Sequence, residues 1–134
     1  MPTPAPPAVL PVRVLAVDGS LDVARVLAAL LRRRGFEVRS RCDGPAALDV
    51  AAAFRPEAAV PDLGLPGMDG WELARRLRRR CGPGLVLVVA VTGSGDAESV
   101  RRSREAGIDH HLVKPLSPER LLELLAGVRP AAGD

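Results

Sequence analysis

The chain has 134 residues and a mass of 14.1 kDa, enough for one domain that buries roughly two thirds of its unfolded surface without a disulfide or metal staple. Its 47% hydrophobic and 26% charged residues exclude a disordered composition, and its longest apolar run, Leu85–Val91, is far short of the roughly 20 residues that cross a bilayer. Basic residues outnumber acidic ones by only 19 to 16, and two Phe, one Trp and no Tyr leave little with which to stack nucleic-acid bases.

Residues 1–11, MPTPAPPAVLP, hold five of the thirteen prolines and read as a disordered or polyproline lead-in. Val12–Val17 is a short valine-rich strand. Asp22–Arg34 places Val23, Val26, Leu27, Leu30 and Leu31 at spacings of three and four, which predicts an amphipathic helix closed by Gly35. Phe36–Ser40 alternates apolar and polar residues as a half-buried edge strand does. Pro45–Phe54 is Ala-rich and helical, and Glu57–Val60 is a short apolar strand. Gly70–Arg80 is helical again, with Leu73 and Leu77 on one side, and Leu85–Val91 has the continuous apolar character of a strand buried on both faces. Asp96–Ala106 is a helix with Asp96 as its N-cap, and Asp109–Val113 is the last strand. Ser117–Gly127 is the last helix, with Ser117 as N-cap and Pro118 at its first position. Residues 129–134 form a small polar tail, which leaves 12–128 as the domain. Five alternations of strand and helix imply right-handed crossovers, hence an α/β, doubly wound, five-stranded parallel sheet covered on both faces.

In such sheets the chemistry lies in the crevice outside the carboxyl ends of the strands. The first strand ends in Asp18, the third in Asp62, the fourth in Thr92 and the fifth in Lys114. Two carboxylates, a hydroxyl and an ammonium therefore meet at one edge. Lys114 is the only lysine beside 18 arginines, which suggests a place for a compact point charge instead of a planar fork. Phosphoryl transfer to a carboxylate suits these groups. One Asp attacks phosphorus, a hard divalent ion neutralises the clustered charge, and the hydroxyl and ammonium bind the phosphoryl oxygens.

These residues stand in segments that resemble the receiver domain of the two-component response regulator family over about residues 12–128. The resemblance rests on VLAVDGS at 14–20, DGPAAL at 43–48, RPEAAVPDLGLPGMDG at 55–70, VTG at 91–93 and AGIDHHLVKP at 106–115; LPGMDG and LVKP carry most of its specificity. It implies the flavodoxin-like strand order 2-1-3-4-5, Asp62 as phosphoacceptor, Asp18 as an acidic-pocket residue, and Mg²⁺ held by Asp18, Asp62 and the backbone carbonyl of Gly64. It further implies Thr92 as the switch hydroxyl, Lys114 as the phosphate-binding lysine, a cis bond before Pro115 and His111 in place of a rotating aromatic. A histidine kinase or phosphotransfer protein would be the donor, and a downstream protein would read the helix 4–strand 5–helix 5 face.

The chain departs from the family pattern twice. A second acid usually follows the first, and here Asp18 is followed by Gly19; losing that carboxylate should cost about 1–4 kcal/mol of Mg²⁺ affinity, or one to three decades, unless water or Ser20 fills its place. Pro61 precedes Asp62 in what should be a central strand, where proline removes a ladder hydrogen bond, so a frayed strand end and a displaced Asp62 are expected.

Arg32–Arg34, the Arg75–Arg80 cluster and Arg101, Arg102 and Arg104 read as solvated helix faces, and no DNA-reading module fits in the 20 residues after Lys114, so direct nucleic-acid binding is not expected. Zinc is not expected either: His110 and His111 point to opposite faces and no Cys or His lies at ligand spacing. Cys42 and Cys81 fall at opposite ends of the sheet and do not form a disulfide framework. No secretory apolar segment follows Met1, which makes a reducing cytoplasm the expected compartment. The helix from Asp96 has few large apolar anchors, as switching elements do. The expected function is a stand-alone receiver, not an enzyme, phosphorylated on Asp62. A degenerate receiver used only for protein contacts is the first alternative, and an aspartate-nucleophile phosphatase the second. The usual second Asp of such phosphatases, two residues after the first, is replaced here by Gly64.

Overall fold

The computed structural model describes residues 10–129. The expected lead-in at 1–11 and tail at 129–134 lie mostly outside that range. Strands β1 (Arg13–Val17), β2 (Glu37–Arg41), β3 (Ala58–Pro61), β4 (Leu87–Thr92) and β5 (His110–Val113) alternate with helices α1 (Leu21–Arg33), α2 (Gly44–Phe54), α3 (Gly70–Cys81), α4 (Ala97–Glu105) and α5 (Pro118–Ala126), and one 3₁₀ turn at Gly82–Gly84 follows α3. The strands form a single parallel sheet in the order β2-β1-β3-β4-β5, with register pairs such as Val14–Val38, Leu15–Ala59 and Ala90–His111. All five elements of each kind lie within about two residues of their sequence-based bounds.

Side-chain caps fix where each helix begins, because the first turn has no intrahelical acceptors for its amides. Ser20, Asp43, Asp69, Asp96 and Ser117 accept from the amides of Val23, Ala46, Glu72, Ser99 and Arg120. Period-two alternation then divides the strands between two cores. Leu15, Val17, Ala59, Val88 and Ala90 face α2 and α3, packing on Leu48, Leu73 and Leu77. Val14, Ala16, Val38, Val60, Val89 and Val91 face α1 and α5, packing on Leu31, Leu121 and Leu125.

Two expectations are corrected. The buried stripe of α1 is Ala24, Ala28 and Leu31, whereas Val23 is 48% and Val26 70% exposed. Two stripes of helical spacing run along this helix; the small alanines win the sheet because they let the helix approach closely, and the valines are left to solvent. Pro61 does not fray β3 or displace Asp62. The Asp62 amide donates to Val17 O at 2.8 Å, so the missing N–H of Pro61, one residue earlier, faces the other neighbour, β4. Pairing with β4 accordingly runs through Ala58–Leu87 and Ala59–Val88, lapses, and resumes at Asp62–Val91, where the Leu63 amide donates to Val91 O at 2.9 Å. The proline opens one rung and the strand end stays pinned on both sides.

The amino edge of the sheet is tied by Glu57. Its carboxylate accepts from the Arg129 guanidinium through both oxygens (2.8 and 2.5 Å) and from the Arg13 amide at 3.2 Å. Arg129 also donates to the carbonyls of Leu10 and Pro11, which brings the two ends of the described chain together. The hydrogen bond from Arg129, opposed by desolvation and helped by Arg13, holds the Glu57 carboxyl below its ordinary value of 4.5. A lowered carboxyl contributes stability above its unfolded-state pKa and loses it as pH falls through the folded one. Glu57→Gln should therefore unfold more readily than the wild type near neutrality, with the gap closing below about pH 4.5 as the wild-type carboxyl protonates; urea titrations at several pH values check this.

Candidate functional site

Parallel register sets the ends of β1, β3, β4 and β5 side by side, and the residues just past them form the site. Lys114 Nζ lies 3.0 Å from Asp62 Oδ2 and 3.7 Å from Asp18 Oδ2. The other oxygen of each carboxylate is held by backbone: Ser20 N–H donates to Asp18 Oδ1 at 2.9 Å, and Gly64 N–H to Asp62 Oδ1 at 3.0 Å. Both acids are thus fixed in rotation with one oxygen turned toward the ammonium. The hydrogen bond to Asp62 raises the Lys114 ammonium above its ordinary 10.5; desolvation opposes this, and Asp18 adds to it. Lys114 therefore stays charged throughout the physiological range.

Thr92 ends β4 buried, at 9% exposure, and its Oγ1 accepts from Ser94 N–H at 3.2 Å. Its carbonyl accepts from Lys114 N–H at 2.7 Å, so the hydroxyl and the ammonium are carried by directly bonded strand ends. The Lys114–Pro115 bond is cis, as the resemblance implies. His111, half-buried on β5, bridges two parts of the neighbouring α4 region: Nε2 lies 3.2 Å from Ser94 O and Nδ1 3.4 Å from Ser103 Oγ.

The residues expected to hold Mg²⁺ can be tested on this geometry. Asp18 and Asp62 supply hard oxygen donors fixed by backbone amides, which fits a cation that keeps several waters and takes one or two carboxylates. Among the described residues no group of three or more His, Cys, Asp or Glu stands at metal-holding distance. The donor set fits Mg²⁺ with one protein ligand fewer than three acids would give.

Three contributors escaped sequence reasoning. Gly70 backs directly onto the site: a Cβ there would meet Asp62 O at 2.5 Å and Leu63 Cα at 2.6 Å, and its own amide donates to Leu63 O. Its signal in the sequence is its place as the last residue of LPGMDG, which gives no hint of this contact. Ser103, the single buried residue of α4, donates to Ser99 O and accepts from Trp71 Nε1 at 3.0 Å, while Arg102 stacks on the Trp71 ring. Ser20 was considered only as a stand-in for the missing acid, yet it caps α1 and orients Asp18.

The chain matches the model of the response regulator receiver domain over residues 14–126. It is 37% identical over 117 residues to the DNA-binding response regulator MtrA of Mycolicibacterium paratuberculosis, covering 87% of this chain and 49% of that protein. Among solved structures it superposes on the chemotaxis protein CheY4 of Vibrio cholerae with a TM-score of 0.82 at 29% identity, over 89% of this chain and 99% of that one. It superposes also on a response regulator from Burkholderia pseudomallei that carries a phosphorylated aspartic acid and a calcium ion, with a TM-score of 0.76 at 28% identity, over 88% and 66% of the two chains. Fold and family match together define an α/β receiver domain of two-component signalling. The chain belongs to the response regulator receiver family. It spans about half the length of the curated relatives it matches.

Gly70→Ala places a methyl group against backbone that has nowhere to go. It should cost about 1–3 kcal/mol in urea denaturation and move the amide resonance of Gly64, whose partner is Asp62. A variant as stable as wild type with an unmoved Gly64 signal would contradict this account.

Proposed function

We propose that this chain accepts a phosphoryl group on Asp62 from a phosphohistidine of a kinase or phosphotransfer protein, and that the acyl phosphate switches the α4–β5–α5 face. The observation that carries the reading is the Lys114 ammonium, 3.0 Å from Asp62 and paired also with Asp18 beside the buried Thr92 hydroxyl. In the transfer an oxygen of Asp62 forms a bond to phosphorus as the donor N–P bond breaks, and the electron pair leaves with the imidazole. Lys114 and Thr92 then serve the phosphoryl oxygens as a fixed cation and a donor hydroxyl. Bound Mg²⁺ would supply further charge neutralisation; Asp18, Asp62 and the Gly64 carbonyl are the residues assigned to hold it.

The approach to the site supports a protein as donor. Beside Asp62 and Lys114 lies a cleft of about 210 Å³ walled by Val23, Leu27, Val60 and Leu116, continuous with the exposed valines of α1. Apolar surface of this kind on a soluble domain suits a docking partner. On the output side, α4 is held by one buried serine and by His111, which makes it the element most readily repacked when Thr92 is drawn to a phosphoryl group.

We further assign the chain no catalytic turnover of its own, a cytoplasmic setting alongside its donor, and no direct contact with nucleic acid. Supporting the last point, arginines of α3 and α4 are committed to neighbouring acids: Arg75 and Arg76 to Glu72, and Arg101 to Glu98 and Glu105. Among the described residues no helix is long and apolar enough to cross a membrane. A degenerate receiver is the second reading, favoured by Gly19 alone.

Incubation with acetyl phosphate and Mg²⁺ followed by intact-mass measurement tests the proposal. Wild type should carry one labile phosphoryl adduct and Asp62→Asn none; no adduct at high Mg²⁺ would favour the degenerate receiver, and steady turnover of phosphoesters an enzyme. Gly19→Asp should restore the missing ligand. A Cβ at position 19 meets only Pro66 Cδ at an ordinary 3.4 Å, so the carboxylate can be accommodated, and Mg²⁺ affinity by calorimetry should rise by about one to three decades.

A further inference from the structure

At the amino edge of the sheet, opposite Asp62, a cleft of about 530 Å³ opens between the C-terminal ends of α2 and α3, the start of β1 and the turn at Gly82–Gly84. This is the size range of small-molecule sites. Its floor and walls are Ala51, Ala52, Pro56 and Pro83, and its charged rim is Arg13, Arg55 and Arg80. Arg13 is already engaged, pairing with Glu57 and donating from Nε to Arg55 O at 2.8 Å. Arg80 donates only one N–H, to Leu48 O at 3.2 Å, and has the rest of its fork to offer. Arg55 is held in the left-handed conformation (φ 53°) that ends α2, and among the described residues no carboxylate lies within ion-pair distance of it or of Arg80. Both guanidiniums also bear electrostatically on the Cys81 thiol in the same cleft, opposing the burial that raises it.

The charge around the cleft favours an anion. Arg13 and Arg129 share the one carboxylate of Glu57, while Arg55 and Arg80 have no carboxylate partner among the described residues; the negative ends of two helices add about one further negative charge, which leaves about two of these four positive charges uncompensated. Two free planar forks above small, flat apolar walls match a pair of phosphate groups attached to a compact body.

We propose that this cleft is a second ligand site, distinct from the phosphoacceptor, which binds a small diphosphate-bearing molecule of nucleoside diphosphate size through Arg55 and Arg80. The diphosphate would take the free N–H donors of the two arginines, and the remainder of the ligand would lie on Ala52, Pro56 and Pro83 and cover Cys81.

Cys81 makes the proposal testable on the full chain. Its alkylation by the neutral reagent N-ethylmaleimide is followed by mass spectrometry, with Cys42 as the internal reference, and with pyrophosphate and ADP as probes at constant ionic strength. Saturable protection of Cys81 by about fivefold or more is expected, at an unchanged Cys42 rate. Arg55→Asn, which tolerates the left-handed backbone, combined with Arg80→Gln, which keeps a donor for Leu48 O, should abolish that protection. No protection of wild type, equal protection by sulfate, or full protection in the double variant would overturn the site. Should the double variant fold poorly, amide shifts of wild type titrated with pyrophosphate decide instead. Changes at 51–56 and 81–84 uphold the proposal, and changes confined to the surroundings of Asp62 and Lys114 refute it.

Discussion

The structure turns on an ammonium set between two carboxylates. Parallel strands ending at one level force Asp18 and Asp62 toward each other, and like charges in that position repel. Lys114 removes the conflict by meeting both, at 3.7 and 3.0 Å, and the acids repay it by keeping the lysine charged. The same contact ties β5 to β3 across β4, with which the main chain of Lys114 is bonded through Thr92. A phosphoryl group on Asp62, as proposed, would enter this arrangement as a third negative partner for one cation whose main chain is bonded to the end of β4.

From the end of β4 a run of hydrogen bonds leads toward α4. Gly93, Ser94 and Gly95 separate Thr92 from the cap of α4, and Ser94 is bonded at both ends: its amide to Thr92 Oγ1 and its carbonyl to His111 Nε2. From His111 the chain of contacts runs to Ser103 and on to Trp71 at the start of α3. Helix α4 has one buried side chain and that side chain is polar, so hydrogen bonds, not apolar area, set its position. Such bonds are directional and exchange partners at little net cost, whereas a leucine-filled interface does not. The sheet and α3 are held by apolar packing, and α4 by hydrogen bonds.

The two edges of the sheet are chemically unlike. The carboxyl edge concentrates acids around one lysine, and the amino edge concentrates arginines around one glutamate, with Glu57 binding Arg13 and Arg129 while Arg55 and Arg80 keep free donors. Helix dipoles alone would favour cations at the amino edge, where the C-termini of α2 and α3 lie. They account for the presence of arginines there. They do not account for an open cleft on which Arg55 and Arg80 stand with no carboxylate partner among the described residues.

Much of this was legible before any coordinates. Strand and helix alternation fixed the layered class, because periodicity reports which side chains must be hidden. The residues at the strand ends pointed to one edge, because in a parallel sheet that position alone brings distant segments together; Asp18, Asp62 and Lys114 meet there, and Thr92 adjoins Lys114 through its backbone carbonyl. The order of the strands came by resemblance, as periodicity is silent about neighbours. Other features depend on which neighbour a group faces. The direction of the absent N–H of Pro61 decided whether a central strand frays, and it followed from the hydrogen bond of Asp62 to β1. The buried stripe of α1 went to alanines, since closeness to the sheet outweighed side-chain size. Gly70 behind Asp62, Ser103 beneath His111 and the cleft shared by Arg55 and Arg80 each join residues of different elements. A linear pattern records what each residue can do; only packing selects the partner with which it does it.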